Sequence, residues 1–384
     1  MAVEAEMKNK ALILTVGMLV ILLVSVFASF EFLIARQSTP EFFVGVEMAY
    51  ANATFNDVKD LVDKVKDYTN LFVIGSPEIS LNQTLLNMTS DYIFNAGLSF
   101  IILFTDTTMY DYVPYVWIMK AKQKYGERFL AVYRFDEPGG NQLDNGTSAF
   151  VFEAENSSDA AAEFVKQVNG HMEYYYYAGH DVLTADYGLY WFDYLGGYDQ
   201  ILTEFGFNLS RILHVGLCRG AAEAFGRRWG AIVTWTYNDK PYIESGADLF
   251  DDMTLAYRTG AKYVVVFNYP KIGPYGLLKD EHFDALKRFW DYTRSNPQDY
   301  GSEQGEVAYV LPKDYGFGFR RPDDRIWGLF NSDDLSRKVW EDVNKLINRY
   351  DSRLDVVYDD PNFITGIQER YRTLFFWNET IPAG

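Results

Sequence analysis

The stretch Ala131–Gly140 reads AVYRFDEPGG, an apolar run that stops on two adjacent carboxylates, Asp136 and Glu137. Pro138 and two glycines follow. A strand ends here, because proline lacks the N–H that a strand ladder requires and glycine favours turns. The two acids therefore lie where a strand passes into a loop. In parallel α/β proteins this edge of the sheet is where ligands bind.

Similar β-rich runs alternate with helical patterns along most of the chain. Eight of these runs predict strands: Phe42–Met48, Leu71–Gly75, Ser99–Phe104, Phe129–Phe135, Asp181–Asp186, Tyr198–Glu204, Gly230–Trp235 and Ala261–Asn268. Eight βα units within about 250 residues match a closed (β/α)8 barrel, which we assign to residues 42–298. An open doubly wound sheet is the alternative, but no nucleotide-binding glycine motif follows any of the runs.

The helical patterns carry their own start signals. A helix over Phe55–Tyr68 has Asn52, Thr54 or Asn56 available as its cap, and Asn208 is expected to cap a later helix. Residues 299–384 change character and predict a small α/β appendage. Its expected elements are Glu306–Leu311, Asp334–Tyr350, Leu354–Tyr358 and Thr373–Trp377.

The N-terminal segment is strongly apolar. Residues 11–30 form an uncharged apolar run. A helix of this length is long enough to cross a bilayer. We therefore expect cytoplasmic residues 1–10, a transmembrane helix or signal anchor over 11–35 and a polar linker over 36–41. Lys8 and Lys10 precede the apolar run and predict an inside N-terminus. A cleaved signal peptide is the alternative.

Potential glycosylation sites support an external location for the rest of the chain. Every Asn-x-Ser/Thr sequon lies beyond the apolar segment, at Asn52, Asn82, Asn87, Asn145, Asn156, Asn208 and Asn378. These features together predict a single-pass protein of the cell membrane whose C-terminal bulk is extracytoplasmic.

Composition excludes several classes of partner. A formal charge of −18 without Lys/Arg clusters disfavours nucleic acid. The four histidines are scattered without ligand-like spacing, so we expect no metal and no other cofactor. Aromatic residues make up 17% of the chain, and aromatic rings are natural platforms for the apolar faces of sugars. A carbohydrate is therefore the expected ligand.

Polar residues cluster at the carboxyl ends of the predicted strands, where barrels normally carry Val, Ile and Leu. They are Glu47, Asp106, Asp136, Glu137, Asp186, Glu204 and Asn268. So many acids at one mouth disfavour simultaneous ionisation, so some of them should have raised pKa values. Arg134 shares strand parity with Asp136 and is expected to pair with it, which leaves Glu137 protonatable.

Paired carboxyl groups with aromatic neighbours point to glycoside chemistry, in which one acid protonates the leaving oxygen and the other acts as nucleophile or base. Trp191, Trp235 and Tyr237 follow predicted strand ends and are expected to stack on sugar rings. Glu47, Asp106, Arg134, Asp186 and Asn268 complete the expected substrate-binding set.

The pattern resembles the large clan of retaining glycoside hydrolases built on (β/α)8 barrels. Asp136-Glu137-Pro138 is similar to the Asn-Glu-Pro motif that follows the fourth strand in that clan, which implies Glu137 as acid/base. The clan has its nucleophilic Glu at the seventh strand, where this chain has Thr234-Trp235-Thr236-Tyr237. Glu244 follows Tyr237 in the sequence and is one candidate to replace that nucleophile.

Glu204, on the sixth predicted strand, is the better-placed replacement. The pairing of a fourth-strand acid with a sixth-strand acid resembles the α-galactosidase-like barrels. That resemblance implies the reverse roles, with the fourth-strand acid as nucleophile and the sixth-strand acid as proton donor. The roles of Glu137 and Glu204 therefore stay open, with Asp136 as a third catalytic candidate. We expect a glycoside hydrolase-like enzyme acting on extracellular or cell-surface glycans. The alternative is a catalytically inactive glycan-binding or structural protein on the same barrel.

Overall fold

The computed structural model describes residues 42–105, 107–176 and 178–382, and from Phe43 onward the chain forms one compact unit. The predicted membrane segment, residues 11–35, lies outside this part of the chain, as does Asp106. Within the three described ranges, none of the helices combines the length and hydrophobicity that spanning a bilayer requires.

Eight parallel strands close into a barrel in sequence order, as the sequence predicted. The barrel closes where β1 pairs with β8, in a register that runs from Phe43 opposite Tyr263 to Met48 opposite Asn268. The strands are β1 Phe43–Met48, β2 Leu71–Ile74, β3 Ser99–Phe104, β4 Phe129–Arg134, β5 Val182–Asp186, β6 Gln200–Phe205, β7 Arg228–Val233 and β8 Tyr263–Asn268.

The helices surround the barrel. They are α1 Phe55–Val65, α2 Pro77–Leu81, α3 Gln83–Asn95, α4 Pro114–Tyr125, α5 Pro138–Asp144, α6 Ser157–Tyr176, α7 Tyr190–Gly196, α8 Arg211–Phe225, α9 Gly246–Arg258 and α10 Asp280–Ser295. Thr54 caps α1 through a capping box with Asp57. The expectation that Asn208 caps α8 is wrong, because the Ser210 side chain accepts from the backbone N–H of Leu213 at the start of this helix.

The two-residue alternation of each strand sorts the barrel residues into an inward and an outward set. The inward set forms the central core, with Phe43, Leu71, Val73, Ile101, Ala131, Tyr133, Leu183, Ala185, Leu202, Ile232, Tyr263 and Val265. The same alternation continues upward on β1 to Glu47 and on β6 to Glu204, which therefore point into the barrel mouth. Asp186 and Asn268 are in the outward phase of β5 and β8.

The C-terminal region adds a small parallel sheet in the order β10-β9-β11. Its elements are β9 Val307–Leu311, α11 Asp334–Tyr350, β10 Leu354–Tyr358, α12 Ile364–Arg370 and β11 Thr373–Phe376. Helix α8 packs directly on β10 through two glycines one turn apart. A Cβ at Gly216 would lie 2.5 Å from the Leu354 carbonyl oxygen, and one at Gly220 would lie 2.7 Å from that of Val356, so only glycine permits this contact.

A buried ion pair crosses the same interface. Arg219 of α8 donates through Nε to Asp355 Oδ1 at 2.8 Å and through Nη1 to the Glu303 carbonyl at 2.8 Å. Its Nη2 donates to the Ser352 carbonyl at 2.5 Å, and the Tyr371 hydroxyl donates to the second oxygen of Asp355 at 2.7 Å. The Arg219 side chain is 2% exposed and that of Asp355 is 0% exposed, so each charge depends on the other for solvation.

Replacement of Arg219 by alanine should lower the free energy of unfolding by about 3–5 kcal/mol, because it leaves the buried Asp355 carboxylate unpaired. Urea denaturation followed by tryptophan fluorescence measures the change. The matched control is Arg353→Ala, which removes a half-exposed ion pair with Glu306 and should cost less than about 1 kcal/mol. Equal losses in the two variants would contradict a structural role for the buried pair.

Candidate active site

The backbone after β4 determines where the two adjacent acids point. Phe135 and Glu137 both adopt left-handed conformations, with φ of 52° and 56°, which non-glycine residues rarely adopt. This geometry breaks the strand alternation, so Asp136 and Glu137 line the same cavity. The backbone N–H of Glu137 donates to the Ala185 carbonyl at 3.0 Å, and the Thr184 hydroxyl donates to the Phe135 carbonyl. Neighbouring β5 therefore holds the turn in place.

Asp186 at the end of β5 fixes the same turn from the outer side of the barrel. Its carboxylate accepts four backbone N–H groups, from Gly139 at 2.6 Å, Gly140 at 2.8 Å, Tyr187 at 2.7 Å and Gly188 at 3.1 Å. A Cβ at Gly140 would lie 2.2 Å from the Tyr187 ring, so this position requires glycine. Asp186 thus connects the loops after β4 and β5.

The C-terminal region supports the loop after β4 as well. Fully buried Gln142 donates through Nε2 to the carbonyls of Trp327 and Val151, each at 2.9 Å. Arg320 pairs with Asp144, which also accepts from the Tyr187 hydroxyl at 2.7 Å. The segment that follows Glu137 is therefore held by residues from the second sheet's connecting loop.

A cavity of about 360 Å³ opens at the carboxyl ends of the strands. It is lined by Glu47, Tyr133, Asp136, Glu137, Ala185, Glu204, Phe207, Ile232, Thr234, Trp235, Phe267 and Tyr269. Predicted residues Glu47, Asp136, Glu137, Glu204 and Trp235 are thus brought together. The others in the lining were missed, although the inward phase of the strands identifies Tyr133, Ala185, Ile232 and Phe267.

Glu137 and Glu204 share a hydrogen bond across this cavity. Burial raises the pKa of Glu137 to about 8, with a further contribution from the charge of Asp136. Burial and the negative charges of Glu137 and Asp136 raise the pKa of Glu204 well above its usual range. The interaction of these two close carboxyl groups therefore keeps at least one of them protonated near neutral pH.

The other two carboxyl groups lie on the same side of the pair. The Tyr133 hydroxyl donates to Asp136, which opposes the rise that burial causes in the pKa of that carboxyl group. The pKa of Glu47 is raised well above its usual range, first by burial and then by the charge of Asp136. Glu47 lies over Gly75, where an added Cβ would come within 2.2 Å of its Oε1. The glycine therefore leaves the space that the carboxyl group occupies.

Aromatic rings that follow β6, β7 and β8 also line the cavity. Trp235 and Tyr269 stack with ring centroids 5.9 Å apart and an interplanar angle of 14°. The Trp235 indole N–H donates to the Tyr269 carbonyl at 2.6 Å, which fixes the indole orientation. Phe207 and Phe267 add two further rings, so the cavity combines acidic and aromatic side chains.

Several predicted site residues lie elsewhere. Asp186 does not line the cavity, because it is in the outward phase of β5 and its carboxylate accepts hydrogen bonds from backbone N–H groups. Asn268 is also outward, and it donates to the Tyr50 hydroxyl at 2.8 Å and accepts from the Leu277 backbone at 2.9 Å. Both side chains therefore organise loops.

The expected pair of Arg134 and Asp136 is replaced by other contacts. Arg134 follows Tyr133 in the outward phase of β4 and donates to the Phe104 carbonyl at 3.3 Å, while Asp136 accepts from Tyr133. The left-handed Phe135 separates the two side chains, because it turns Asp136 inward.

Two of the expected aromatic platforms are also outside the cavity. Trp191 on α7 is 3% exposed and packs against Phe225, Tyr358 and Phe363, which form the interface with the second sheet. Tyr237 is 49% exposed and lies beyond the cavity lining.

Glu244 does not reach the cavity. Its carboxylate accepts from Arg211 Nη2 at 3.3 Å and from the Thr236 hydroxyl at 3.4 Å. Among the described residues, no three His, Cys, Asp or Glu side chains come together as a metal site.

Comparison with known proteins supports the fold. No protein-family model and no curated protein matches the chain. Among solved structures, α-L-fucosidase isoenzyme 2 from Paenibacillus thiaminolyticus is similar with a TM-score of 0.52 and 10% identity. The match covers 87% of this chain and 59% of the fucosidase, so the chain spans less than two thirds of that enzyme.

A family 98 glycoside hydrolase module from Streptococcus pneumoniae matches with a TM-score of 0.49 and 11% identity, over 89% of this chain and 66% of the module. An endo-1,4-beta-mannanase from Eisenia fetida matches with a TM-score of 0.42 and 13% identity, over 68% of this chain and 93% of the mannanase. The match with the fucosidase agrees with the eight-stranded barrel that this chain forms.

The raised pKa of Glu137 predicts a specific pH dependence of stability. In the unfolded chain this carboxyl group titrates near 4.3, but in the folded protein it titrates at about 8. The unfolded state binds fewer protons between these values, so the free energy of unfolding falls as the pH rises through this window. Glutamine does not ionise, so Glu137→Gln should reduce that fall, by up to several kcal/mol.

Urea denaturation at about pH 5 and about pH 8.5 measures this difference. Glu163→Gln is the control, because Glu163 is a partly exposed residue of α6 whose pKa is lowered by contacts with Gln167 and Lys166. It should retain the wild-type difference over this range. An unchanged pH dependence in Glu137→Gln would contradict a protonated, buried carboxyl group at this position.

Proposed function

We propose that the protein is a glycoside hydrolase in which Glu204 is the proton donor and Glu137 is the nucleophile. The observation that carries the proposal is the interacting pair of carboxyl groups in a cavity that aromatic rings also line. Two carboxyl groups with one shared proton are what cleavage of a glycosidic bond requires. The aromatic rings of Trp235 and Tyr269 are suited to the apolar face of a sugar ring.

The burial of the two side chains assigns the roles, because Glu204 is buried and Glu137 is only partly buried. Protonated Glu204 is the acid that can transfer its proton to the leaving glycosidic oxygen. Glu137, once it has ionised, is the carboxylate that attacks the anomeric carbon. Ionised Glu204 then takes a proton from the water that hydrolyses the glycosyl-enzyme bond.

The separation of the pair favours retention of configuration. Carboxyl groups within hydrogen-bond reach lie closer to the spacing of about 5–5.5 Å in retaining enzymes than to that of about 6.5–9.5 Å in inverting ones. The roles match those implied by the α-galactosidase-like pairing of a fourth-strand and a sixth-strand acid.

A catalytically inactive glycan-binding protein is the second candidate. It is favoured by Thr234, which stands near the position where many barrel hydrolases have their nucleophilic Glu. The contacts of Glu137 and Glu204 disfavour this candidate. In the described part of the chain, no arginine and no backbone N–H donates to either carboxyl group. The two acids are therefore not occupied by a structural network.

We also propose that the barrel acts on glycans outside the cell. All seven sequon asparagines are exposed in the folded chain, which enzymatic glycosylation requires. Mass spectrometry of peptides from the full-length protein, purified from its native membranes, should find glycans on one or more of these asparagines. Unmodified asparagine at all of them would count against an external location.

The catalytic pair is tested by a screen of chromogenic glycosides with the wild-type protein, Glu137→Gln, Glu204→Gln and the control Glu163→Gln. Each cavity variant should fold and lose about two to four powers of ten or more in kcat/KM, because each removes a group that acts on the reacting bond. Glu163→Gln should retain the wild-type rate.

The pH profile separates the two roles. The wild-type rate should rise with pH toward about 8 as Glu137 ionises, and Glu137→Gln should lose this rise together with the activity. Azide should restore turnover to Glu137→Gly by replacing the missing nucleophile. A Glu137→Gln protein with the wild-type rate would refute the assignment, and sugar binding without hydrolysis of any glycoside would support the second candidate.

A further inference from the structure

We propose that the sugar bound in this cavity carries a free amino group, whose ammonium form is held by Glu47 and Asp136. The inference rests on the proposed glycoside hydrolase function and names its substrate class as amino sugars that are not N-acetylated. It follows from a buried carboxyl group that has no partner in the protein, and from an excess of acids in the cavity.

Glu47 is the buried carboxyl group without a partner. It lies on the inward face of β1, is 4% exposed and lines the cavity. No hydrogen bond or ion pair reaches its side chain from the described residues, although a carboxyl group removed from water requires donors to offset its lost hydration. Gly75 leaves the space that this carboxyl group occupies, since an added Cβ would come within 2.2 Å of Oε1 and displace it.

The cavity contains more acids than the reaction requires. Glu137 and Glu204 suffice for acid and nucleophile, and Glu47 and Asp136 remain. The charge of Asp136 raises the pKa of Glu47, so the two lie within range of each other's fields. Among the described residues, the other titratable groups that line the cavity are Tyr133, which donates to Asp136, Tyr269 and the catalytic pair.

Among the described residues, no Lys, Arg or His lines the cavity. A neutral hydroxyl can donate a hydrogen bond to a carboxylate, but it leaves the repulsion between buried Glu47 and the more exposed Asp136 uncompensated. An ammonium group has three donors and a positive charge, so it satisfies Glu47 and Asp136 together. The rings of Trp235 and Tyr269 add a favourable surface for a cationic sugar.

Acetylation of the amine would remove both the charge and two of its three donors. The cavity should therefore discriminate against N-acetylated sugars as well as against neutral ones. A divalent cation is a weaker explanation, because the described residues contain no cluster with metal-site geometry.

Binding of sugars by isothermal titration calorimetry at about pH 7 tests the inference without any need for turnover. The probes are short oligosaccharides of glucosamine and of galactosamine, the same oligosaccharides after N-acetylation, and the parent neutral oligosaccharides. In the glucosamine or the galactosamine series, the amino oligosaccharide should bind about tenfold or more tightly than the N-acetylated and the neutral oligosaccharides. Only the amino form offers the carboxyl groups a hydrogen-bonded charge pair.

Glu47→Gln should remove this preference, and Glu163→Gln, on the surface helix α6, should preserve both the preference and the wild-type affinities. Equal or tighter binding of the neutral or N-acetylated forms would overturn the inference, as would an unchanged preference in Glu47→Gln. Hydrolysis of neutral glycosides without any amine preference would overturn it while leaving the hydrolase proposal intact. Absence of binding by every sugar would overturn both.

Discussion

Carboxyl groups that crowd one cavity cannot all be ionised, and the chemistry of this barrel follows from that constraint. Among the described residues, four acids line one cavity of about 360 Å³, and removal from water is the largest cause of the raised pKa of each. The protein lowers the cost by keeping a proton on the pair of Glu137 and Glu204, and by letting Tyr133 donate to Asp136. The same pairing supplies an acid next to a nucleophile.

The loops, in addition to the strands, hold the acids close together. Asp186 accepts four backbone N–H groups from the segments after β4 and β5. Gln142 joins the segment after β4 to the C-terminal region. The second sheet is therefore part of what positions Glu137, and the buried pair of Arg219 and Asp355 attaches that sheet to the barrel.

Much of this architecture could be predicted from the sequence because the barrel strands are short apolar runs that end on polar residues. The alternation of Glu47 and Glu204 also places them inward, and the same rule applied to Asp186 and Asn268 would have placed them outward. Asp136 could not be placed in this way, since the left-handed conformation of Phe135 is set by contacts with β5.

The role of Trp191 was equally hidden, because its partners Tyr358 and Phe363 come from the C-terminal region and meet it only in the folded chain. The cavity wall residues Phe207 and Tyr269 follow strand ends in loops, where no periodic pattern marks them. Residues 11–35 and Asp106 lie outside the described residues, so the predictions made for them stay predictions.

The most direct test of the shared proton is a carbon-13 NMR titration of the glutamate carboxyl carbons, with Glu137→Gln and Glu204→Gln used to assign the two signals. The Glu137 signal should titrate near pH 8, and the Glu204 signal should also titrate well above the ordinary glutamate value of about 4.3. Removal of either residue should shift the midpoint of the other, since the two interact through their shared proton. Independent titration of both groups below about pH 5 would contradict the account.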